Sequence, residues 1–225
     1  MQRELLMGDQ RGNTMFVEAI MNPFSGIEDS RPVSEALERF KEHPALMVTT
    51  PSHQLVGIVA RVHLLEAFAD YWIGHGPESE DILKTPIGNF AHQARQIKAG
   101  TPVEDAVNLL YQGEKAVVVT DRQGKPAGII SWQEVNNYLR EITGFNDKSS
   151  VRFSLALTDA PGQLARVADV VGRAGANITA ITLSDPKTLN WVHLVLRVDR
   201  EHAVIARHAL ERHGIQILSE HYSAE

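Results

Sequence analysis

The chain has no cysteine among its 225 residues. That excludes disulfides, thiolate metal sites and cysteine nucleophiles together, and it fits a cytoplasmic protein. Long apolar runs are missing too. No stretch reaches the roughly 18 apolar residues of a membrane span, so no membrane role is expected. The first residues, Met1 to Met15, are polar and lack an apolar h-region, so they are not a secretory signal; residues 1–14 read as an N-terminal leader. Basic excess is absent: 22 Lys and Arg are scattered among 28 Asp and Glu, for a net charge of −6, which argues against a nucleic-acid partner. Catalytic motifs are missing as well. There is no phosphate-binding Walker loop, no GxGxxG after a strand and no GxSxG elbow. The 10 histidines form no HExxH pair or similar cluster, so no metal site is expected. No paired acid and base stand out. What remains is a chain that is 43% apolar, enough for a packed core, with no sign of an enzyme.

The first two thirds contain a repeat. Arg31-Pro-Val-Ser-Glu-Ala-Leu37 matches Thr101-Pro-Val-Glu-Asp-Ala-Val107 at an offset of 70, and Gly57-Ile58-Val59 matches Gly128-Ile129-Ile130 at an offset of 71. The one-residue slip falls in a turn, where insertions are tolerated. In each copy a proline opens a helix. Apolar residues then recur at helical spacing: Val33, Ala36, Leu37 and Phe40, or Val103, Ala106, Val107 and Leu110. Strands follow at Ala45–Thr49 and Leu55–Val59, or at Ala116–Thr120 and Ala127–Ile130. A closing helix covers about Val62–Ile73 or Gln133–Ile142. Val117-Val-Val119 and Gly128-Ile-Ile130 are apolar throughout, which predicts strands covered on both faces.

These copies, with the lead segments Val17-Glu-Ala-Ile-Met-Asn-Pro23 and Pro86-Ile-Gly-Asn89, resemble tandem CBS domains (Bateman modules) over residues 15 to 145. The resemblance implies two βαββα repeats, at 15–80 and 81–143. In that family the second strand ends in Gly, two aliphatics, a hydroxyl residue, two more residues and Asp; the hydroxyl and carboxylate contact a nucleotide. Here the second copy reads Gly128-Ile-Ile-Ser131-Trp-Gln-Glu134, with Glu in place of Asp. A carboxylate accepts hydrogen bonds from vicinal ribose hydroxyls, which explains the residue type. The same pair also reads as a capping box on the helix that follows. The first copy has Ala60 and His63 instead, so its site is expected to be empty or to work by another chemistry, with His63 meeting a phosphate or sensing pH. Thr101 occupies a position that lines the nucleotide in the family, and it also reads as a simple helix cap. The implied ligand is ATP, ADP, AMP or a related adenosyl compound, with no cofactor required.

The texture changes at Gly144–Ser150, a polar stretch that reads as a linker. Strand Val151–Leu157 alternates cleanly. A loop, Asp159-Ala-Pro161-Gly162, leads to a helix with Leu164, Val167, Ala168 and Val171 on one face, stopping at Gly175. Strands at Asn177–Leu183 and Trp191–Val198, a helix at about Glu201–His213 and a last strand at Ile215–Tyr222 complete βαββαβ, a ferredoxin-like sandwich over residues 151–225. The loop, the helix length and the Gly175-Ala-Asn177-Ile178 pair resemble the ACT-domain family, in which a small ligand, often an amino acid, sits between this loop and a partner domain's strand. Gly162 permits close backbone approach, the N–H groups of Gln163 and Leu164 suit a carboxylate, Asp159 suits an ammonium, and Asn177 offers donor and acceptor. The alternative is structural: Asp159 caps the helix, Pro161-Gly162 makes the turn and Asn177 fixes the strand entry.

A CBS pair followed by one ACT domain resembles the acetoin-utilisation AcuB-like family. The resemblance implies a non-catalytic, homodimeric regulator that reads small metabolites and acts on an unidentified enzyme. The competing expectation is a docking module with vestigial pockets.

Overall fold

The computed structural model describes residues 16–23, 26–75, 81–145, 147–184 and 191–222. The expected leader, 1–14, lies outside them. The chain forms two compact units that divide after Asn137.

In the first unit a short helix α1 (Val17–Ile20) precedes β1 (Gly26–Glu28), α2 (Val33–Arg39), β2 (Ala45–Thr49), β3 (Leu55–Ala60) and α3 (Arg61–His75). The short α4 (Asp81–Lys84) and a 3₁₀ turn over Ile87–Phe90 lead into β4 (Arg95–Lys98), α5 (Val103–Tyr111), β5 (Val117–Thr120), β6 (Pro126–Ile130) and α6 (Trp132–Ile142), the helix within which the two units divide. Each repeat builds a three-stranded sheet, in the orders β1-β2-β3 and β4-β5-β6. The first pair of strands is parallel and the second antiparallel in both. The opening strand of each repeat is the element that residue pattern alone did not disclose. Arg95–Lys98 has one half-buried residue among exposed ones, so it carries no alternation to read. Pro32 and Pro102 also sit one position earlier than expected: both are N-caps with extended backbone (ψ 152° and 147°), rather than first helical residues. A fixed proline φ suits either position.

The all-apolar strands are covered on both faces, as their composition predicted. Val117 and Val119 join Ala106, Leu110, Ile130 and Val135 in the core of the second repeat. Val118 faces the other way, into a separate cluster with Ala116, Ile129 and, from the first repeat, Ala45, Met47, Ile58 and Ala60. That cluster joins the two repeats.

The lead segments are exchanged. Val17, from ahead of the first repeat, is buried in the core of the second. Its N–H donates to the Thr101 carbonyl (3.0 Å), and Asn22 pairs with Ile129 through both backbone bonds (2.8 and 3.0 Å). Reciprocally, Ile87 is buried in the first repeat's core, and His92 pairs with Ile58 in the same way (2.8 and 2.9 Å). Each crossing runs over a glycine. A Cβ on Gly57 would lie 2.3 Å from the His92 carbonyl oxygen, and one on Gly128 would lie 2.7 Å from Met21 Sδ and 3.1 Å from the Asn22 carbonyl oxygen. The glycine that opens each Gly-aliphatic-aliphatic run is therefore required by close backbone approach.

The second unit is a mixed α/β sheet domain: β7 (Ser150–Thr158), α7 (Gln163–Arg173), β8 (Ile178–Ser184), β9 (Trp191–Asp199), a 3₁₀ turn, α8 (Ala203–Arg212) and β10 (Gln216–Tyr222). The antiparallel sheet has the order β10-β7-β9-β8. This is the ferredoxin-like βαββαβ arrangement expected. Val151, Phe153, Leu155 and Leu157 of β7 and Val192, Leu194, Leu196 and Val198 of β9 face α7 and α8 and form one core. Leu164 departs from the expected helix face. It is 44% exposed, and Val170 takes its place beside Val167 and Val171.

Candidate ligand sites

In the second repeat, Ser131 follows β6 at the start of α6. It is buried, as is Glu134. One oxygen of Glu134, Oε2, accepts from both the Ser131 N–H (2.8 Å) and its hydroxyl (2.5 Å), and the Gln133 N–H donates to Ser131 Oγ (3.2 Å). This is a reciprocal capping box, with the orphan N–H groups of the helix start satisfied by side chains. The other oxygen, Oε1, takes no hydrogen bond among the described residues. A buried carboxylate with an oxygen to spare at a helix N-terminus can accept a hydroxyl.

Thr101 does not join this pair within the repeat. Arg95, Val117 and Ile130 share one level of the sheet, and Lys98, Thr120 and Pro126 the other. Ser131 continues from the first level and Thr101 lies beyond the second. Three residue steps separate the levels, about 10 Å at the usual strand rise.

The equivalent corner of the first repeat has different chemistry. Ala60 is buried, and His63 lies in the first turn of α3. Its ring packs on His92, with centroids 4.4 Å apart and planes at 56°. His63 Nδ1 is buried without a hydrogen-bond partner. Burial first, then the nearby His92 and Lys115, pull the His63 pKa below its ordinary value, while Glu66 pushes it up. His63 is therefore held toward its neutral form. Sequence reasoning missed His92 and Lys115. The signal for His92 existed: the repeat offset of 70 aligns it with Asn22, the other residue at a lead crossing.

In the second unit, Gly162 is the N-cap of α7 with φ +86°, a left-handed turn that no side chain caps. The Gln163 N–H reaches only a long contact with the Ala160 carbonyl (3.5 Å). Asp159, in the loop, and Leu164, in the first turn of α7, are both exposed. Asp159 does not cap the helix. Asn177 lies elsewhere. Its N–H donates to Asp199 Oδ1 (2.5 Å), at the end of the sheet where Val151, Val198 and Ile178 are level. The loop follows Thr158 at the opposite end, seven residue steps and about 23 Å away along the strand. One copy of the chain does not bring Asn177 to the loop.

The sequence profile of the CBS domain matches residues 17–70 and 91–141. The chain carries a tandem pair of CBS domains, which are regulatory rather than catalytic modules that often bind adenosyl ligands. The C-terminal sheet domain that follows them is consistent with an ACT-like fold. Similar solved structures include a CBS-domain containing protein from Agrobacterium tumefaciens, 18% identical over 59% of this chain and 99% of that one, with a TM-score of 0.47. A CBS domain-containing protein of unknown function from Bacillus anthracis is 15% identical over 56% of this chain and 93% of that one, at 0.46. The CBS domain of a bacterial CNNM/CorC family Mg²⁺ transporter, in complex with ATP, is 20% identical over 56% and 87%, at 0.44. A comparison with curated proteins found no match. Among the described residues no helix is long and apolar enough to cross a membrane, and no group of His, Asp or Glu could hold a metal ion.

Proposed function

We propose that the protein is a non-catalytic, cytoplasmic regulator of the acetoin-utilisation AcuB-like kind. Its CBS repeats (15–80 and 81–143) sense an adenine nucleotide, and its ACT-like domain (151–225) senses an amino acid. The observation that carries the nucleotide reading is the buried Glu134 carboxylate with Oε1 unengaged beside Ser131. Glu134 receives a ribose hydroxyl, and Ser131 lines the ligand. His63 serves the altered first site. In the ACT-like domain, Asp159, Gly162, Gln163 and Leu164 form the ligand loop. Asn177, at the far end of its own sheet, meets that loop only from a second copy of the chain, so the amino-acid site requires a homodimer. The first unit carries an apolar surface of its own that suits self-association: on α3, Val62, Leu65 and Ile73 are 42%, 58% and 87% exposed. The ligands then act by favouring one arrangement of the dimer over another.

The experiment is a thermal-stability screen with ATP, ADP, AMP, NAD, S-adenosylmethionine and the amino acids. A ligand at 100 times its dissociation constant adds about 2.7 kcal/mol. The expected result is stabilisation by one adenosyl compound, lost in Glu134→Ala. Stabilisation by none would refute the reading. One observation favours a second reading, a docking module with vestigial pockets: Ser131 and Glu134 satisfy each other as a helix cap, and Ala60 removes the matching hydroxyl from the first repeat.

A further inference from the structure

Across β9, β7 and β10, Arg197 stands directly opposite Arg152, and Arg152 directly opposite His221. Alternation places all three on the sheet face turned away from α7 and α8, because Val151, Phe153, Leu196 and Val198 fill the other. Two guanidinium groups as cross-strand neighbours repel, and such pairs ordinarily destabilise a sheet. Here one of them is also buried: Arg197 is only 6% exposed. Its stem lies beneath Gly144, where a Cβ would come within 2.8 Å of Arg197 Cδ. Arg197 Nη1 donates to Ser150 Oγ (3.2 Å), a neutral acceptor, and Nε is buried with no partner.

The local acids do not balance this charge. Asp147 is near enough to favour the charged guanidinium, yet no ion pair joins them, and its Oδ1 already accepts from the Ser149 N–H (2.9 Å) and hydroxyl (2.5 Å). Asp199, on the same face, is engaged by the Asn177 N–H and by His202. A buried cation without a matched anion is costly, and a fold retains one where something else supplies the charge.

We propose that Arg152 and Arg197 form an oxyanion-binding site on the helix-free face of the C-terminal sheet, taking a small molecule that carries a carboxylate or phosphate group. Planar guanidinium forks match both groups in bidentate fashion. Arg197, clamped beneath Gly144, supplies a preorganised donor. Arg152, half-buried, supplies the accessible one. The site is distinct from the Asp159–Leu164 loop and from Glu134, and does not depend on a ligand at either.

Calorimetric titration of the full chain with inorganic phosphate and with succinate, at constant ionic strength, tests the proposal and distinguishes the two sources of oxyanion. One saturable site is expected for one of them. Arg152→Gln should weaken it by about tenfold or more, or about 1.4 kcal/mol. Arg152→Lys, which keeps the charge and loses the fork, should weaken it measurably, while Lys148→Gln, on an exposed neighbour, should leave it unchanged. If Arg152→Gln folds poorly, the Arg197 Nε–H signal of the unaltered protein, followed by NMR during the titration, reads the same contact. Failure of both anions to bind overturns the proposal. So does equal loss in Arg152→Gln and Lys148→Gln, which would mark diffuse charge attraction, or an Arg197 signal that stays fixed at saturation.

Discussion

The two signature glycines make a graded test of the lead-segment exchange. In Gly57→Ala the new Cβ would meet the His92 carbonyl oxygen at 2.3 Å and its carbon at 3.1 Å. Ordinary contact needs about 3.5 Å, so the His92 backbone must retreat by roughly 1 Å. That carbonyl accepts the Ile58 N–H, and the His92 N–H donates to the Ile58 carbonyl. Weakening two backbone hydrogen bonds costs about 0.5–1.5 kcal/mol each, and overpacking adds about 1–3 kcal/mol. Reduced freedom of the unfolded chain returns about 0.4–1 kcal/mol. The net expectation is a loss of about 3 kcal/mol. In Gly128→Ala the nearest atoms belong to the flexible Met21 side chain, and the Asn22 carbonyl oxygen is 3.1 Å away, so about 1 kcal/mol is expected. Gly26 has nothing within 4 Å of its would-be Cβ, and Gly26→Ala should be neutral or slightly stabilising. Urea unfolding followed by circular dichroism gives the three values. If Gly57→Ala proves no more costly than Gly26→Ala, the His92 segment does not cross β3 as described.

Other expectations follow from single contacts. Ser131→Ala removes the cap of α6 and should cost about 0.5–2 kcal/mol in urea unfolding even without any nucleotide. Phe153→Ala empties the fully buried centre of the second core and should cost about 3–5 kcal/mol by the same measure. The histidines predict pH dependences of opposite sign. The Asp199 carboxylate holds His202 above the ordinary 6.5, so its contribution is complete below that value and is lost as pH rises through the raised folded pKa. Burial lowers His63, so the unfolded chain takes up its proton first, and stability falls as pH drops from 6.5 toward the depressed folded value. Melting curves across this range should flatten on the alkaline side in His202→Ala and on the acidic side in His63→Phe; no change in either would refute the assignment.

Much of the architecture was legible because periodicity reports which faces of an element are dry. Val117 to Val119 announced a strand covered on both sides, and Val151, Phe153, Leu155 and Leu157 announced a strand with one buried face. The capping box was legible too, since Ser131 and Glu134 act across a single helical turn. Periodicity does not say what does the covering. Leu164 matched the helical stripe and is still 44% exposed, with Val170 buried in its stead. Arg95–Lys98 pairs in a sheet with almost no buried side chain, and so left no pattern.

What the sequence alone determined, then, is local and periodic: the repeat, the elements with a periodic dry face, the capping box that starts α6, and the absence of cysteine chemistry. Tertiary structure decided everything that depends on which segment crosses which. It buried Val17 in the second repeat and Ile87 in the first, set His92 against His63, put Asn177 at the far end of the sheet from Asp159, and aligned Arg197 with Arg152. The physical reason is register. Spacing along a chain fixes side-chain direction within one element, but neighbours across strands are fixed only when backbone hydrogen bonds choose a pairing.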